Sequence, residues 1–448
     1  MKRYSEYKDS GVKWIGEIPE HWKIEPFGRH FSYGKGLPIT KADLVSEGVA
    51  VISYGQIHSK LNIGTTMDDC LLRYVDPKYI ETNPQCLLNK NDFVFADTSE
   101  DIEGCGNFAF NDRNESIFAG YHTIIVRPID ILHPKYYAYL FQSKKWKSQV
   151  QTLVNGVKVF SISRGILKKA SLLIPTYTEQ QEIVTYLDTK VANIDEYISI
   201  AEKKIAALEE LKQTIITEAV TRGIHKDVPM KDSGVKWIGM IPEHWKIVAI
   251  KRFSEIILGK MLDKTNGNEQ QYLCAKDVHF DEINLTDLKK MYFSPEEQSK
   301  YRVRKGDLLV VEGGACGTCA ILRTDVNDIF IQNSIMIVRG DKTKCVNDFI
   351  AYSIQALVQK GYTESVCNKA TIMHFTKEKL GNTLISLPPL PEQQEIVTYL
   401  DSKVANINQL CQAERSQIEK LKEYKQRLIS DVVTGKVKVT NDSLNGRV

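Results

Sequence analysis

Residues 179–194 read EQQEIVTYLDTKVANI, and residues 392–407 read EQQEIVTYLDSKVANI. The two copies differ at a single position, where Thr189 of the first copy is Ser402 in the second. Each copy opens a long amphipathic pattern and follows a domain-sized segment that differs greatly between the two halves. The sequence therefore joins near-identical helices to divergent domains, and any functional interpretation has to explain that contrast.

The apolar residues after each copy form one seam. In the first half their spacing alternates between four and three, and they are Ile194, Ile198, Ala201, Ile205, Leu208, Ile215 and Ala219. A spacing that averages about 3.5 residues is typical of a coiled coil and not of a helix packed on a sheet. Lys212 and Lys425 interrupt the two seams at the same place. With prolines ahead of both stretches and glycines behind them, we expect helices over residues 179–224 and 392–436.

A second duplication comes before each variable segment. Residues 8–24 read KDSGVKWIGEIPEHWKI, and residues 231–247 differ from them at one position. Tryptophans and isoleucines in both blocks are packing anchors, so we interpret each block as a clasp that fixes where a domain begins. His21 and His244 have no nucleophile or metal ligand at a useful spacing, which argues against a catalytic role.

The composition is that of a globular protein. A chain of 448 residues is long enough for two to three domains, and 42% hydrophobic residues argue against disorder. The net charge of +3 is too small to indicate nucleic-acid binding by itself. No apolar run has the length of a membrane span, and the first residues lack the apolar core of a signal peptide. We therefore expect a cytoplasmic protein without a membrane partner.

The two variable segments share an outline of strands, glycine-rich turns and a helical pattern, which predicts mixed α/β domains. We expect an α+β or mixed α/β fold with two globular domains, two long antiparallel helices and an internal pseudo-two-fold repeat, because like halves tend to pack about a two-fold axis. The expected parts are a first domain (1–178), a central helix (179–224), a second domain (225–391), a C-terminal helix (392–436) and a tail (437–448). A rod with a domain at each end suits two DNA half-sites separated by an unread gap.

The sequence lacks the common catalytic motifs. Its glycine-rich turns match neither a phosphate loop nor a dinucleotide-binding loop. Residues 83–85 (NPQ) lack the second proline and the aromatic residue of a motif that stacks on a flipped base. Residues 341–342 (DK) have no strand of acids beside them, and the cysteine pair in residues 316–319 (CGTC) has no second ligand pair for zinc. We therefore favour a binding function; the alternatives are a stand-alone DNA methyltransferase or nuclease with unrecognised motifs, and a coiled-coil interaction protein.

Polar side chains in the variable segments are the candidate contacts to DNA. Asn and Gln can bond adenine, Lys can bond guanine or phosphate, and Thr can contact the thymine methyl group. The candidates in the first segment are Lys35, Tyr54, Gln56, His58, Lys60, Asn155 and Lys158, and those in the second are Lys260, Lys276, His279, Gln332, Asn333, Asn368, Lys369 and Thr371. Each of them is also explained as an ordinary solvated loop residue. We favour the loops around Asn155 and Asn368, which hold equivalent places but differ around the shared asparagine.

Over essentially its whole length, the chain resembles the specificity subunits of type I restriction–modification enzymes. The resemblance rests on the two KDSGVKWIG blocks with their IPEHW endings, on the Ile-Pro or Leu-Pro exits before EQQEIVTYLD, and on the helix ends in residues 218–223 (EAVTRG) and 431–435 (DVVTG). It implies a non-catalytic subunit in which each variable domain is a target recognition domain for one half of a bipartite site in double-stranded DNA. It also implies that the repeated helices fix the gap and dock two methyltransferase (modification) subunits.

The resemblance further implies where the chemistry of such a complex resides. S-adenosylmethionine belongs to the modification subunits, and ATP and magnesium belong to the partner subunits that include the motor or restriction subunits. This chain itself is expected to hold no cofactor and no metal.

Overall fold

The computed structural model describes residues 2–130, 133–154, 156, 159–262, 267, 269–280, 282–367 and 373–440. The chain divides into two compact units. Unit 1 combines Met1–Ile200 with Ser416–Val448, and unit 2 is Ala201–Arg415. Each unit holds one variable segment and one copy of the short block, together with a part of each long helix.

Unit 1 contains short strands and helices followed by a long helix. Its strands are β1 (Tyr7–Asp9), β2 (Glu17–Pro19), β3 (Lys23–Pro26), β4 (Phe31–Lys35), β5 (Leu44–Val45), β6 (Val49–Ile52), β7 (Arg73–Val75), β8 (Leu87–Leu88), β9 (Phe93–Ala96), β10 (Thr98–Ser99), β11 (Phe108–Phe110), β12 (Ile117–Ala119), β13 (Thr123–Pro128), β14 (Phe160–Ser161) and β15 (Ser171–Ile174). Its helices are α1 (Phe27–His30), α2 (Tyr54–Ile57), α3 (Tyr79–Thr82), α4 (Pro134–Gln142), α5 (Lys144–Gln151), α6 (Arg164–Lys169) and the start of α7 (Tyr177–Arg222).

Two sheets form the centre of unit 1. One is antiparallel in the order β11-β9-β13-β4, and the other has the order β5-β7-β6-β12-β8, in which β6 and β12 run parallel. Successive residues of a strand point to opposite faces. Phe93 and Phe95 of β9 therefore pack against Phe141 and Trp146, while Val94 joins the core on the other face. The strand between the two cores is apolar throughout because both of its faces are covered.

Unit 2 repeats this architecture. Its strands are β16 (Met230–Asp232), β17 (Met240–Pro242), β18 (Lys246–Ala249), β19 (Ser254–Leu258), β20 (Glu269–Leu273), β21 (Val278–His279), β22 (Glu282–Ile283), β23 (Lys289–Tyr292), β24 (Leu308–Val311), β25 (Cys319–Ile321), β26 (Ile329–Ile331), β27 (Ile335–Gly340) and β28 (Leu384–Leu387). Its helices are the end of α7, α8 (Pro295–Tyr301), α9 (Asn347–Gln359), α10 (Tyr362–Val366), α11 (Lys377–Asn382) and the start of α12 (Leu390–Val433). The main sheets have the orders β19-β27-β24-β25 and β23-β20-β26, and β20 and β26 are again a parallel pair.

The long helices α7 and α12 run antiparallel. In unit 2, Lys204 pairs with Glu414, and Lys212 Nζ donates to Asn408 Oδ1 at 3.1 Å. Residue numbers therefore rise along α7 while they fall along α12, as the two-fold repeat predicts. No helix in the described part of the chain is long and apolar enough to cross a membrane.

The two lysines that interrupt the apolar seam have polar partners on the facing helix. Lys212 reaches Asn408, as described above, and it also pairs with Glu209 at 2.6 Å. In unit 1, Lys425 Nζ lies 2.6 Å from Asp195 Oδ1. A charge in a helix seam is tolerated when it is paired in this way. The breaks in the apolar pattern are thus part of how the helices pair.

Helix α7 begins at Tyr177, slightly before the predicted start, because Thr176 and Glu179 form a capping box. The Thr176 N–H donates to Glu179 Oε2 at 3.1 Å, and the Glu179 N–H donates to Thr176 Oγ1 at 3.3 Å. Helix α12 begins at Leu390, so Pro391 lies inside its first turn. A proline is tolerated there because the N–H that it lacks has no partner within the helix.

Each short block clasps the start of one long helix. Trp22 is fully buried, and its indole N–H donates to Glu179 Oε1 at 3.3 Å. His21 Nε2 lies 3.0 Å from the same carboxylate. The second copy repeats the contact, with the indole N–H of Trp245 donating to Glu392 Oε1 at 3.0 Å. These contacts give the histidine of the first block a structural role, as the sequence predicts.

The clasp in unit 1 also touches the end of the other long helix. Gly435, just after α12, has a φ of +72°, and a Cβ there would lie 2.4 Å from Pro19 Cδ and 3.2 Å from Trp22. In unit 2, Gly223 follows α7 with a φ of +77° and lies beside Trp245 in the same way. Glycine is needed at both places because residues with a Cβ rarely adopt this conformation. Each block therefore fixes the start of one helix and the end of the other.

Replacing Gly435 with alanine is expected to destabilise unit 1. The left-handed backbone alone costs an alanine about 1–2 kcal/mol, and displacing Pro19 adds about 1–3 kcal/mol of overpacking. Gly11→Ala is the matched control, because Gly11 has a φ of +64° and nothing lies within 4 Å of its Cβ position. Calorimetric melting of the whole chain should show the larger loss for Gly435→Ala. Equal losses of stability in the two variants would mean that the short block does not pack tightly against the end of α12.

Candidate nucleic-acid interface

The carboxyl ends of the parallel strands form an equivalent edge in each unit. In unit 1 the loops after β6 and β12 are joined by a hydrogen bond from the Tyr54 N–H to the Tyr121 carbonyl at 3.4 Å. In unit 2 the loops after β20 and β26 are joined by a hydrogen bond from the Ala275 N–H to Ser334 Oγ at 2.9 Å. Ligands commonly bind outside the carboxyl ends of parallel strands, where the following loops converge.

We call these two surfaces loop edge 1 and loop edge 2. Loop edge 1 comprises Tyr54, His58, Asp97, Tyr121 and His122, and loop edge 2 comprises Lys276, His279, Glu312, Gln332, Asn333 and Ser334. The Asp97 N–H donates to the His122 carbonyl at 3.1 Å. At the equivalent place, the Glu312 N–H donates to the Ser334 carbonyl at 2.8 Å. The two edges thus share this backbone hydrogen bond, whereas their side chains differ.

Aromatic rings cover loop edge 1. The centre of the Tyr54 ring lies 5.6 Å from that of Tyr121 and 5.4 Å from that of His122, both in edge-to-face contact. His122 is exposed, has a φ of +54°, and places Nδ1 3.2 Å from Asp97 Oδ1. Few residues other than glycine adopt that backbone conformation, and strain of this kind concentrates at functional sites.

An acidic cleft lies beside His58. The ring of His58 is fixed, because Nε2–H donates to the Thr98 carbonyl at 2.8 Å and Nδ1 accepts from the Asn107 amide at 3.1 Å. The cleft has a volume of about 420 Å³, and its remaining lining residues include Ser99, Glu100, Asp101 and Glu103. Carboxylates repel phosphate but can accept a hydrogen bond from the amino group of cytosine. The chemistry of this cleft therefore suits base edges and not the DNA backbone.

In loop edge 2 the loop after β26 carries amides and a hydroxyl where the loop after β12 carries rings, and Glu312 adds a carboxyl group. Gln332 Oε1 accepts from the Ser334 N–H at 3.1 Å, and the Gln332 amide donates to Asn333 Oδ1. Burial raises the pKa of Glu312 above its ordinary value. Side-chain amides of this kind can make paired hydrogen bonds to adenine.

Lys276 and His279 complete loop edge 2 in the turn after β20. Both side chains are exposed. Lys276 Nζ lies 2.9 Å from Asp277 Oδ1, and this contact raises the pKa of the lysine. The turn is equivalent to the one that carries Tyr54 and His58 in unit 1, since both follow the first strand of the parallel pair.

The other described candidates of unit 1 lie around loop edge 1. Lys35 is the exposed last residue of β4, and the next residue, Gly36, donates its N–H to the Thr123 carbonyl beside His122. Lys60 is exposed after the turn that carries His58. Gln56 has a local role, because its side-chain oxygen accepts from the Ser53 N–H at 3.2 Å and caps α2.

Lys260 lies in the core of unit 2. Its side chain is buried, its Nζ donates to the Tyr292 carbonyl at 2.8 Å, and it pairs with Glu297 at 2.7 Å. The equivalent residue of unit 1 is the buried Leu37, since both residues donate their N–H to the last residue of a parallel strand, β12 or β26. A charged group replaces an apolar one at this position because α8 supplies an acid.

Some predicted contacts lie outside the described residues, namely Asn155, Lys158, Asn368, Lys369 and Thr371. The described residues that follow these stretches border the two loop edges. In unit 1, β14 pairs with β10, which directly follows Asp97. In unit 2, His374 forms a bridge with Gly313, which directly follows Glu312.

Sequence reasoning missed several members of the two edges, namely Asp97, Tyr121, His122, Glu312 and Ser334. The signal that could have found them is their shared place directly after matching strands of the two halves. Asp97 and Glu312 directly follow β9 and β24, and the other three residues follow β12 and β26, so an alignment of the two halves at these strand ends pairs them.

The described residues contain no cluster of three or more His, Cys, Asp or Glu side chains that could hold a metal ion. Cys316 and Cys319, the CxxC pair, are buried, and the Cys316 thiol donates to the Met373 carbonyl at 3.0 Å. Both cysteines are thus packed inside unit 2.

Comparison with known families decides what kind of protein carries these edges. A family model described as the type I restriction modification DNA specificity domain matches residues 33–210 and again residues 242–420. The chain belongs to this family. The two matched segments contain loop edge 1 and loop edge 2 respectively, so the internal repeat is a repeat of the specificity domain.

Curated relatives of this specificity subunit match it over nearly its whole length. A putative type I restriction enzyme MjaX specificity subunit of Methanocaldococcus jannaschii is 24% identical over 97% of this chain and 98% of its own. The type I restriction enzyme EcoKI specificity subunit of Escherichia coli is 19% identical over 94% of this chain and 90% of its own.

Solved structures show the same fold. A chain from a structure of a type I R-M system has a TM-score of 0.71 at 18% identity and covers 94% of this chain and 99% of its own. The HsdS subunit of Thermoanaerobacter tengcongensis has a TM-score of 0.52 at 17% identity and covers 94% of this chain and 98% of its own. The predicted fold class is confirmed, and so is the prediction of a specificity subunit instead of a stand-alone enzyme.

The equivalence of Lys260 and Leu37 can be tested by exchanging them. The double variant Lys260→Leu/Glu297→Gln is expected to change the free energy of unfolding by less than about 1.5 kcal/mol, because an apolar residue often replaces a buried ion pair at little cost when both charges are removed. Leu37→Lys should cost more than about 3 kcal/mol, because Leu37 packs in an apolar cluster with Val51 and Phe118. Urea unfolding of the whole chain measures both values. Similar losses in the two variants would contradict the equivalence.

Proposed function

We propose that this specificity subunit recognises a bipartite site in double-stranded DNA, with unit 1 reading one half and unit 2 reading the other. The observation that carries the proposal is the pair of loop edges, which share their backbone hydrogen bonds and differ in their side chains. Two tyrosines, two histidines and an aspartate occupy loop edge 1, whereas two amides, a hydroxyl, a lysine, a histidine and a glutamate occupy loop edge 2. Different donor and acceptor patterns select different base pairs in the major groove.

The long helices set the gap between the two halves and provide the docking surface for partners. Their first turns are nearly identical in sequence, so they offer one surface twice. Two identical surfaces suit two copies of one partner, which we assign as two methyltransferase (modification) subunits. Motor or restriction subunits join them in the full complex.

The chemistry of the complex resides on the partners. The modification subunits hold S-adenosylmethionine, ATP and magnesium are bound by the partner subunits of the full complex, and this chain contributes recognition without a cofactor of its own. The protein acts in the cytoplasm, because its proposed substrate is chromosomal DNA.

Exchanging residues 25–174 for the matching segment of another specificity subunit is expected to change one half of the methylated sequence. The segment enters and leaves at adjacent places, because β3 and β15 pair with Glu25 opposite Leu172. Expression with the modification subunits, followed by sequencing of methylated bases, shows the outcome. Exchanging residues 248–387 is the reciprocal control and should change the other half. A change in both halves, or in neither, after a single exchange would contradict the division of labour.

Removing residues 205–211 from α7 together with residues 408–414 from α12 is expected to alter the gap and to leave both half-sites unchanged. These stretches face each other, since Lys204 pairs with Glu414 and Lys212 bonds Asn408. Each deletion removes one heptad and shortens its helix by about 10 Å. The deletion in α7 alone serves as the control, because it shifts the two seams against each other and should abolish methylation. An altered base identity with an unaltered gap would count against the spacer role.

A further inference from the structure

His122 is presented by a loop that is held firmly on both sides. The buried Thr123 Oγ1 donates to the Gly120 carbonyl at 2.6 Å, and the Tyr121 carbonyl accepts from the N–H of Tyr54. The backbone at His122 itself has a φ of +54°, so the side chain points away from the direction that an extended strand would give it. A strained residue persists only where its surroundings fix it, and the side chain of His122 stays exposed although it contacts the Tyr54 ring. The loop therefore keeps a strained backbone conformation in which the imidazole ring faces solvent.

Contacts with Asp97 and Tyr54 fix the orientation of that ring. Nδ1 lies 3.2 Å from Asp97 Oδ1, and the backbone N–H of Asp97 holds the His122 carbonyl at 3.1 Å. The Tyr54 ring contacts the imidazole from the side. A carboxylate only accepts hydrogen bonds, so the neutral imidazole carries its proton on Nδ1 and offers Nε2 as an acceptor. In this form the ring offers one acceptor atom, Nε2, in a fixed orientation on loop edge 1.

We propose that His122 is a specificity-determining residue whose Nε2 accepts a hydrogen bond from the exocyclic amino group of an adenine or a cytosine in the half-site read by unit 1. These amino groups are the hydrogen-bond donors that bases present in the major groove. Asp97 is the positioning residue, because it holds the proton on the other nitrogen. The inference rests on the proposed function, since it assigns a role within the half-site of unit 1.

Unit 2 uses the same loop with different chemistry. Ser334 holds the place of His122 and Asn333 that of Tyr121, as the matching hydrogen bonds to Glu312 and Asp97 show. A hydroxyl and an amide both donate and accept, whereas Nε2, the free nitrogen of the imidazole held by Asp97, only accepts. The two halves of the target therefore differ at the position that this loop reads.

The test uses the complete chain expressed with its modification subunits in a host that lacks other methylation, followed by sequencing of methylated bases. His122→Asn is the main variant, because asparagine tolerates the left-handed backbone and adds a donor. It is expected to lower the preference for the cognate base about tenfold at one position of one half-site, which is the size of one good base contact. Asp97→Asn should relax that same position, a result that a purely structural role would not produce. Asn91→His is the matched control, because Asn91 has a φ of +74° at the opposite end of β9.

Each outcome decides the inference. Relaxation at one position in both test variants and an unchanged target in the control support it, whereas an unchanged target in His122→Asn overturns it. If His122→Asn abolishes methylation, the purified complex is used to select bound fragments from a randomised DNA library. Loss of one base preference among those fragments then supports the inference, and retention of the full target overturns it. A wild-type chain that directs no bipartite methylation would overturn the proposed function itself, and the inference with it.

Discussion

In each half of this protein, a hydrogen bond from an indole N–H to a glutamate carboxylate joins the short block to a long helix. Trp22 bonds Glu179, and Trp245 bonds Glu392, so each short block is tied to the first turn of a long helix. Burial of the Glu179 carboxylate acts to raise its pKa, but hydrogen bonds from Thr176, His21 and Trp22 outweigh it and lower the pKa. The charged form is therefore the stable one in the fold, and its contribution to stability is lost as the pH falls through the lowered pKa.

The clasp explains why the repeated stretches match so closely while the domains do not. Truncating a buried tryptophan commonly costs about 3–5 kcal/mol, and the same indole also packs against Gly435 at the end of the other long helix. A change in the helix start, the block or the helix end would therefore disturb several contacts at once. The variable segments meet this frame at the strand pairs β3–β15 and β18–β28. They also meet it through α4 and α9, where Tyr139 bonds Asp188 and Tyr352 bonds Asp401. Away from these contacts the surfaces of the segments are free to differ.

The domains themselves show how one backbone carries different chemistry. Loop edge 1 and loop edge 2 share their hydrogen bonds from strand to loop, yet the loop after β12 presents rings and the loop after β26 presents amides and a hydroxyl. The same freedom reaches the core, where Leu37 in one unit is matched by Lys260 in the other. A recognition protein profits from this arrangement, because the scaffold stays rigid while the groups that meet the bases are exchanged.

The sequence by itself determined the two halves, the two long helices and the family. These features depend on local periodicity and on direct repetition, which are visible without knowing which residues are in contact in the fold. Only the tertiary structure decided that Lys260 is buried, because its partner Glu297 comes from a separate helix. It also decided that Gln56 caps a helix, and that His122 and Asp97 lie together at one edge with Tyr54. The parallel pairing of β6 with β12 brings Tyr54 to this loop, and the antiparallel pairing of β9 with β13 brings Asp97 to it. No pattern within a single strand reveals which loops will meet.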